Sequence, residues 1–200
     1  VVRNLLRIAE RARSDGFDFE IWPLRAQGEF VIQAKDTATV NPILSVPVNA
    51  QRDLDSLFHQ DALAEALGKR APALVFSAGN QMHWHLAKAL QNLPSDVRPR
   101  VVGRVSNAVV SLGEANPLFR AVIKPQERFQ YQAMNHVVAV SQELRNQLVG
   151  GLGLEAERVS CIPNGIDVNR FSGGQDGAAA IERPVILGIG RLSKQKDFGT

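Results

Sequence analysis

Apolar and polar positions along the chain change their spacing repeatedly, and these changes predict alternating helices and strands. Val2, Leu5, Leu6 and Ala9 stand at helical intervals, so the first element is a helix over residues 1 to about 14. Short apolar runs predict strands at residues 17–21, 43–48, 73–76, 100–105, 137–140, 158–162 and 185–189. Runs with helical spacing predict further helices at residues 54–68, 82–90, 117–134 and 141–149.

Individual residues refine the ends of these helices. Gly68 is expected to end its helix in the left-handed conformation that glycine adopts readily. Pro125 should kink or divide the helix 117–134, because proline cannot donate a backbone hydrogen bond. Ser141 is placed to cap the helix that follows it.

The order of the elements predicts the fold and its boundaries. Strands that alternate with helices at this spacing form a parallel sheet of about six strands with helices on both faces. We therefore expect an α/β, Rossmann-like, doubly wound domain over residues 1–172. Residues 173–183, rich in Gly and Ala, read as a linker, and residues 184–200 as the start of a second domain. Because the chain opens inside a helix and stops where another begins, we expect it to be truncated at both ends.

Composition limits the class of protein. Apolar residues make up 44% and charged residues 22% of the 200 residues, as in ordinary globular proteins. The sequence has a single cysteine, no signal-peptide pattern and no apolar run that could span a bilayer. The net charge of +3 gives no reason to expect nucleic-acid binding. We predict a cytoplasmic protein, with peripheral contact at the inner face of the cell membrane as the open alternative.

The residues that follow the strands are the candidate ligand-binding residues, because open parallel sheets bind ligands beyond the carboxyl ends of their strands. They lie at residues 77–80, 106–107, 163–167 and 190–196. On the helix after Asn80, His83 either faces this edge or packs in the core. His83 and His85 would point about 200° apart on a helix and cannot share a metal ion. We predict no metal site.

The segment 190–196 carries the clearest chemistry. Arg191 ends a predicted strand, and Lys196 follows just before a helix start. A guanidinium fork, a compact ammonium charge and the positive end of a helix together suit a diphosphate. The alternative is a solvated basic loop. The same choice applies to the arginine stripe on the first helix, which could meet lipid phosphates or water.

Several of these segments together resemble a known family. The motifs are VVAVS at residues 137–141, CIPNGID at residues 161–167 followed by Phe171, and GRL at residues 190–192 followed by Lys196. In order and spacing they resemble the retaining glycosyltransferases of family 4, which have the GT-B fold. The resemblance is specific over about residues 136–200 and weaker over residues 1–135.

This resemblance implies a donor site and a cleft. Gly190, Arg191 and Lys196 would bind the diphosphate of a nucleotide-sugar, and the two cations would help the leaving group depart. Asn164 and Gly165 would lie at the cleft beside the linker. No cofactor or divalent metal is expected.

The acceptor side is also implied by the resemblance. Its candidate residues come from the ends of the predicted strands and from the helix after Asn80, and they are Asn80, His83, Ser106 and Asn107. Ser106 stands where many members of the family carry a histidine. The expected partners are a nucleotide-sugar donor and a glycan or lipid-linked acceptor. The expected enzyme is a transferase of bacterial surface-polysaccharide biosynthesis.

Members of the family also contain a first strand with a Gly-rich loop and a distant pair of glutamates, and neither occurs in these 200 residues. We therefore expect the chain to transfer no sugar on its own. The alternatives are a GT-B-shaped sugar-nucleotide epimerase or, if the protein ends at residue 200, a non-catalytic binding module.

Overall fold

The computed structural model describes residues 2–24, 29–43, 55–109, 116–166 and 168. The chain divides into two compact units, Val1–Gly165 and Ile166–Thr200. All helices and strands with defined bounds lie in the first unit. The predicted linker and the predicted start of a second domain lie outside the described residues, so both stay predictions.

Strands and helices alternate along the first unit. The strands are β1 (Glu20–Ile21), β2 (Thr39–Val40), β3 (Leu74–Ser77), β4 (Arg100–Val105), β5 (His136–Ala139) and β6 (Val159–Cys161). The helices are α1 (Val2–Ser14), α2 (Glu29–Lys35), α3 (Asp55–Arg70), α4 (Asn80–Gln91), α5 (Pro117–Gln132) and α6 (Gln142–Asn146). None of the helices in the described part of the chain has the length and hydropathy of a membrane-spanning segment.

All strand pairings among the described residues are parallel. β3, β4, β5 and β6 form a four-stranded sheet in chain order, and β1 and β2 form a separate two-stranded sheet. In the larger sheet Val102 lies opposite His136, and Val137 lies opposite Val159. The predicted Rossmann-like α/β class is confirmed. The six described strands, however, are divided between two sheets, because β1 and β2 pair only with each other.

The core lies between the larger sheet and its helices. Strand β4 contributes Val101 and Val105, and β5 contributes Val137, all three fully buried. Leu67 of α3 and Leu148, just beyond α6, belong to the same cluster. A second, smaller cluster packs α1 and the α2 region against β1, and its buried members are Ala9, Ile21, Ala34 and Ala38.

Three helix features can be compared with the sequence. The predicted stop at Gly68 is wrong: α3 runs to Arg70, and Ala71 adopts the left-handed conformation with φ 43°. The helix continues because the Ala71 N–H still donates to the Leu67 carbonyl, at 2.9 Å. Pro125 lies inside α5 without dividing it. The Ser141 cap is confirmed, since its hydroxyl accepts a hydrogen bond from the Leu144 N–H at 3.2 Å.

The short elements between β1 and α3 were not predicted. Helix α2 has seven residues and β2 has two, so neither gives a long periodic pattern. The strand predicted at residues 43–48 lies outside the described residues except for Ile43, which follows β2 without belonging to a strand.

Candidate functional site

Polar residues from distant parts of the sequence meet at the carboxyl edge of the larger sheet. Asn80 follows β3 and Ser106 follows β4, as the sequence predicts for ligand-binding residues. The Ser106 backbone N–H donates to Asn80 Oδ1 at 3.0 Å, and the Ser106 hydroxyl lies 3.4 Å from the same oxygen. Asn80 Nδ2 in turn donates to the Tyr131 hydroxyl at 3.4 Å. The structure therefore brings two of the predicted residues together and holds the Asn80 amide in one orientation.

A guanidinium group lies at the same edge. Arg104, the next-to-last residue of β4, donates from Nη1 to the Ala78 carbonyl at 3.2 Å. From Nη2 it donates to Asn164 Oδ1 at 2.5 Å. Arg104 thus links the end of β3 to the loop after β6, and it is only 7% exposed. Burial lowers the pKa of its guanidinium, which nonetheless stays ionised at neutral pH because arginine titrates so high.

Helix α1 reaches this loop as well. Asn4 Nδ2 donates to Asn164 Oδ1 at 3.1 Å, and Arg7 Nη1 donates to the Gly165 carbonyl at 3.4 Å. The predicted cleft residues Asn164 and Gly165 are therefore in contact with the first two turns of α1. We call Asn4, Arg7, Arg104 and Asn164 the Arg104 cluster.

His83 occupies the core and not the edge of the sheet. Its ring is 0% exposed and stands at 73° to the Tyr131 ring, with 5.7 Å between centroids. Burial lowers the pKa of His83 to about 4, so the ring is neutral at pH 7. Its Nε2 lies 3.5 Å from the Ser77 carbonyl, and its Nδ1 has no hydrogen-bond partner among the described residues. This burial favours a packing role over direct contact with an acceptor.

The Tyr131 hydroxyl stays protonated at physiological pH. Burial, together with the nearby Glu127 carboxylate, raises the pKa of Tyr131 to about 12. A protonated hydroxyl can accept from the Asn80 amide and still donate a hydrogen bond. Tyr131 therefore supports the orientation of Asn80.

Asn107 is exposed beside a shallow cavity of about 140 Å³. Ser106, Ser141, Glu143 and Gln147 also line this cavity, which lies past the ends of β4 and β5. The Gln147 side-chain oxygen accepts from the Val109 N–H at 3.1 Å and so fixes the chain after Asn107. Asn107 is thus open to a ligand at the predicted edge.

A larger cavity, of about 280 Å³, lies elsewhere, between α3 and the segment after β2. Beside it, the Glu20 carboxylate accepts hydrogen bonds from Trp22, Asn41 and Arg70 at 2.7 to 3.0 Å. Burial raises the pKa of Glu20, but these donors outweigh it and leave the pKa below its ordinary value. Because the carboxylate is already fully bonded, it reads as a structural link between β1, β2 and α3.

The donor-side residues cannot be placed in the same way. Gly190, Arg191 and Lys196 lie outside the described residues, and their role stays a prediction. Within the described ranges, no group of three or more His, Cys, Asp and Glu side chains could hold a metal ion. The predicted metal independence concerns the donor diphosphate and also stays a prediction.

Sequence reasoning missed Arg104, Asn4 and Tyr131. Arg104 had a visible signal, because it is the one charged residue after Arg100 in the apolar run VVGRV at residues 101–105. A charge inside a strand that is otherwise buried needs a specific partner. Asn4 and Tyr131 lie on helices whose packing partners the sequence does not specify, so they carried no comparable signal.

Comparison with known proteins identifies the family and supports the fold. Residues 1–170 match the family model for Glycosyltransferase Family 4. No curated protein matches the chain in sequence. Among solved structures, a glycosyltransferase from Rickettsia africae ESF-5 matches with a TM-score of 0.60 at 15% identity. The match covers 86% of this chain but 41% of that protein, so this chain spans less than half its length and the likeness concerns the fold. On the strength of the family match over most of its residues, the chain belongs to glycosyltransferase family 4.

Proposed function

We propose that this chain supplies the acceptor-side domain of a retaining glycosyltransferase that moves a sugar from a nucleotide-sugar to a glycan or lipid-linked acceptor. The observation that carries the proposal is the polar edge of the larger sheet, where one hydrogen-bonded pair is Asn80 with Ser106 and another is Arg104 with Asn164. Fixed amide, hydroxyl and guanidinium groups are suited to binding sugar hydroxyls and phosphates. Their position is where parallel α/β sheets bind ligands.

The orientation of Asn80 supports an acceptor-binding role. Its side-chain oxygen is occupied by Ser106, and one of its two amide N–H groups is directed to Tyr131. The second N–H has no partner among the described residues and can meet an acceptor oxygen, and Asn107 adds an exposed amide nearby. Because the Asn80 side chain is already fixed, binding an acceptor costs little further ordering.

The donor half of the proposal rests on Arg191 and Lys196. Negative charge grows on the diphosphate as it leaves, and two cations in a dry cleft stabilise that charge without a divalent metal. The acceptor hydroxyl then approaches the same face of the sugar that the diphosphate leaves. A linker at residues 173–183 and a donor-binding domain that begins at residue 184 belong to this proposal.

The test is a transfer assay with the native enzyme that contains this chain, with UDP- and GDP-sugars as donors. Release of nucleoside diphosphate that depends on acceptor, unaffected by a chelator, is the expected result. Proton NMR of the product should show the anomeric configuration of the donor. An inverted product would refute retention, and an epimerised nucleotide-sugar formed without acceptor would identify an epimerase instead.

The place of the reaction is a further part of the proposal. A cytoplasmic enzyme of surface-polysaccharide biosynthesis would meet lipid-linked acceptors at the inner face of the membrane. Cell fractionation tests this directly, because the native enzyme should divide between the soluble and membrane fractions according to salt concentration. An enzyme found outside the cytoplasmic compartment would contradict it.

A further inference from the structure

Arg104 is a buried cation without a counter-charge in the described part of the chain. Its side chain is 7% exposed, and none of the ion pairs between described residues involves it. Both of its hydrogen-bond acceptors, the Ala78 carbonyl and Asn164 Oδ1, are uncharged. A guanidinium in this position keeps its positive charge and has nothing described beside it to neutralise that charge.

The energetic cost of this arrangement calls for an explanation. Removing an ion from water costs several kcal/mol unless an opposite charge compensates. Two neutral acceptors use two of the five N–H groups of the guanidinium, and the remaining groups have no acceptor among the described residues. An apolar residue at this position would avoid that cost.

The surroundings of Arg104 suit an anion. Ala78 and Asn164 hold the guanidinium at the carboxyl edge of the sheet, with its fork in one orientation. Asn4 of α1 shares Asn164 as a partner, since its side-chain amide donates to the same oxygen that Arg104 contacts. Arg7 brings a second cation to the same loop through the Gly165 carbonyl.

We propose that Arg104 is a phosphate-binding residue, whose preset guanidinium fork holds a phosphate group of the substrate at this edge. The inference rests on the proposed function, which it deepens by adding a phosphate contact on the acceptor-side domain. The phosphate belongs either to the nucleotide of the donor or to a lipid-linked acceptor. Arginine suits both sources, because its fork matches two phosphate oxygens at once.

The first experiment measures binding of inorganic pyrophosphate to the 200-residue chain by calorimetry. We compare the wild type with Arg104→Gln and with the matched control Arg100→Gln, which removes an exposed arginine from the opposite end of the same strand. Arg104→Gln should weaken binding by about tenfold or more, and the control should bind as the wild type does. Arg104→Lys should lie between them, because the charge remains but the fork is lost. Equal affinity in all variants would overturn the proposal.

A second measurement separates binding from a structural role. If Arg104 served only to join Ala78 to Asn164, then Arg104→Met should unfold at a lower temperature than the wild type. If it is retained for a ligand, Arg104→Met should be at least as stable without ligand, since a buried charge has been removed. Pyrophosphate should then raise the melting temperature of the wild type by more than that of Arg104→Met. A destabilised variant, or one that pyrophosphate stabilises as much as it stabilises the wild type, contradicts the proposal.

A third measurement needs no variant. In the nitrogen-15 spectrum of the wild type, the Nε–H signal of Arg104 should shift on addition of pyrophosphate, with the same concentration dependence as the calorimetric binding curve.

The source of the phosphate is identified by competition against bound pyrophosphate. UDP represents the nucleotide of the donor, and octyl phosphate represents a lipid-linked acceptor. These binding results can be judged separately from sugar transfer. If the wild type binds pyrophosphate through Arg104 but the native enzyme transfers no sugar, the Arg104 assignment still holds. If the enzyme transfers sugar but Arg104→Gln binds pyrophosphate as tightly as the wild type, the assignment is wrong.

Discussion

Gly103 of β4 lies directly against the side chain of Met134, which precedes β5. A Cβ atom added at Gly103 would overlap the Met134 sulfur. Met134 is 1% exposed and belongs to the main core cluster, so its side chain would have to repack within the core to make room. The contact explains a glycine in the middle of a buried strand, where glycine is otherwise unfavourable.

Replacing Gly103 by alanine should therefore destabilise the fold. We expect Gly103→Ala to lower the free energy of unfolding by about 1–3 kcal/mol, the usual cost of overpacking a core. Urea denaturation followed by circular dichroism measures the change. Gly150→Ala is the matched control, because a Cβ at Gly150 would meet nothing within 4 Å. Equal effects at the two positions would contradict the close contact.

Replacing Ala71 by glycine should have the opposite effect. Ala71 has a φ of 43°, in the left-handed region where a Cβ atom is unfavourable by about 1–2 kcal/mol. Glycine removes that strain but adds freedom to the unfolded chain, so a net gain of about 0.5–1 kcal/mol is expected. The same urea titration tests it. Ala66→Gly, inside α3, should lose about 1 kcal/mol, and a loss of the same size at Ala71 would refute the left-handed assignment.

The buried His83 should make stability depend on pH. Its pKa is about 4 in the folded protein and 6.5 ordinarily, so between these values the unfolded chain binds the extra proton. The stability that neutral His83 contributes is fully present above pH 6.5 and is lost as the pH falls toward 4, by about 3 kcal/mol in all. His83→Gln should reduce the loss between about pH 7.5 and about pH 5 by roughly 2 kcal/mol. Identical pH profiles for the wild type and His83→Gln would show that the imidazole titrates normally.

The donor-side prediction concerns Arg191 and Lys196 in the native enzyme. Replacing either by alanine should lower kcat as well as donor affinity, because charge on the leaving diphosphate increases in the transition state. A loss of about 1.5–3 kcal/mol in transition-state stabilisation is expected for each. Arg191→Lys should also be impaired, since the fork is lost. Lys194→Ala, in the same loop, is the control. Small and equal effects at positions 191, 194 and 196 would indicate that the loop is a solvated basic turn. Inactivation by a chelator would indicate that a metal ion, and not Arg191 and Lys196, neutralises the charge of the diphosphate.

The sequence predicted the structure correctly where burial and short-range contacts determine it. Strand β4 was predicted with its observed bounds, because the buried Val101 and Val105 stand out in the pattern. The Ser141 cap was predicted because the contact it makes lies within three residues. The family motifs resembled those of glycosyltransferase family 4, and the matching family model confirms that the chain belongs to it.

The remaining features depend on contacts between distant residues. Gly68 was a reasonable helix end by propensity, but Leu67 lies in the core and the left-handed residue that follows α3 is Ala71. His83 could have faced either way, and its packing on Tyr131 decided the outcome. Neither contact has a short-range signal that sequence reasoning could use.

The hydrogen bond between Asn4 and Asn164 joins residues 160 positions apart. Closing such a long segment is entropically costly and slow, so we expect this contact to form late in folding, after the sheet that lies between its partners. The phosphate-binding edge therefore does not exist in a partly folded chain. Any ligand that binds there stabilises the fully folded state alone, and its binding should slow hydrogen exchange in β3, β4 and β6 at the same time as in α1.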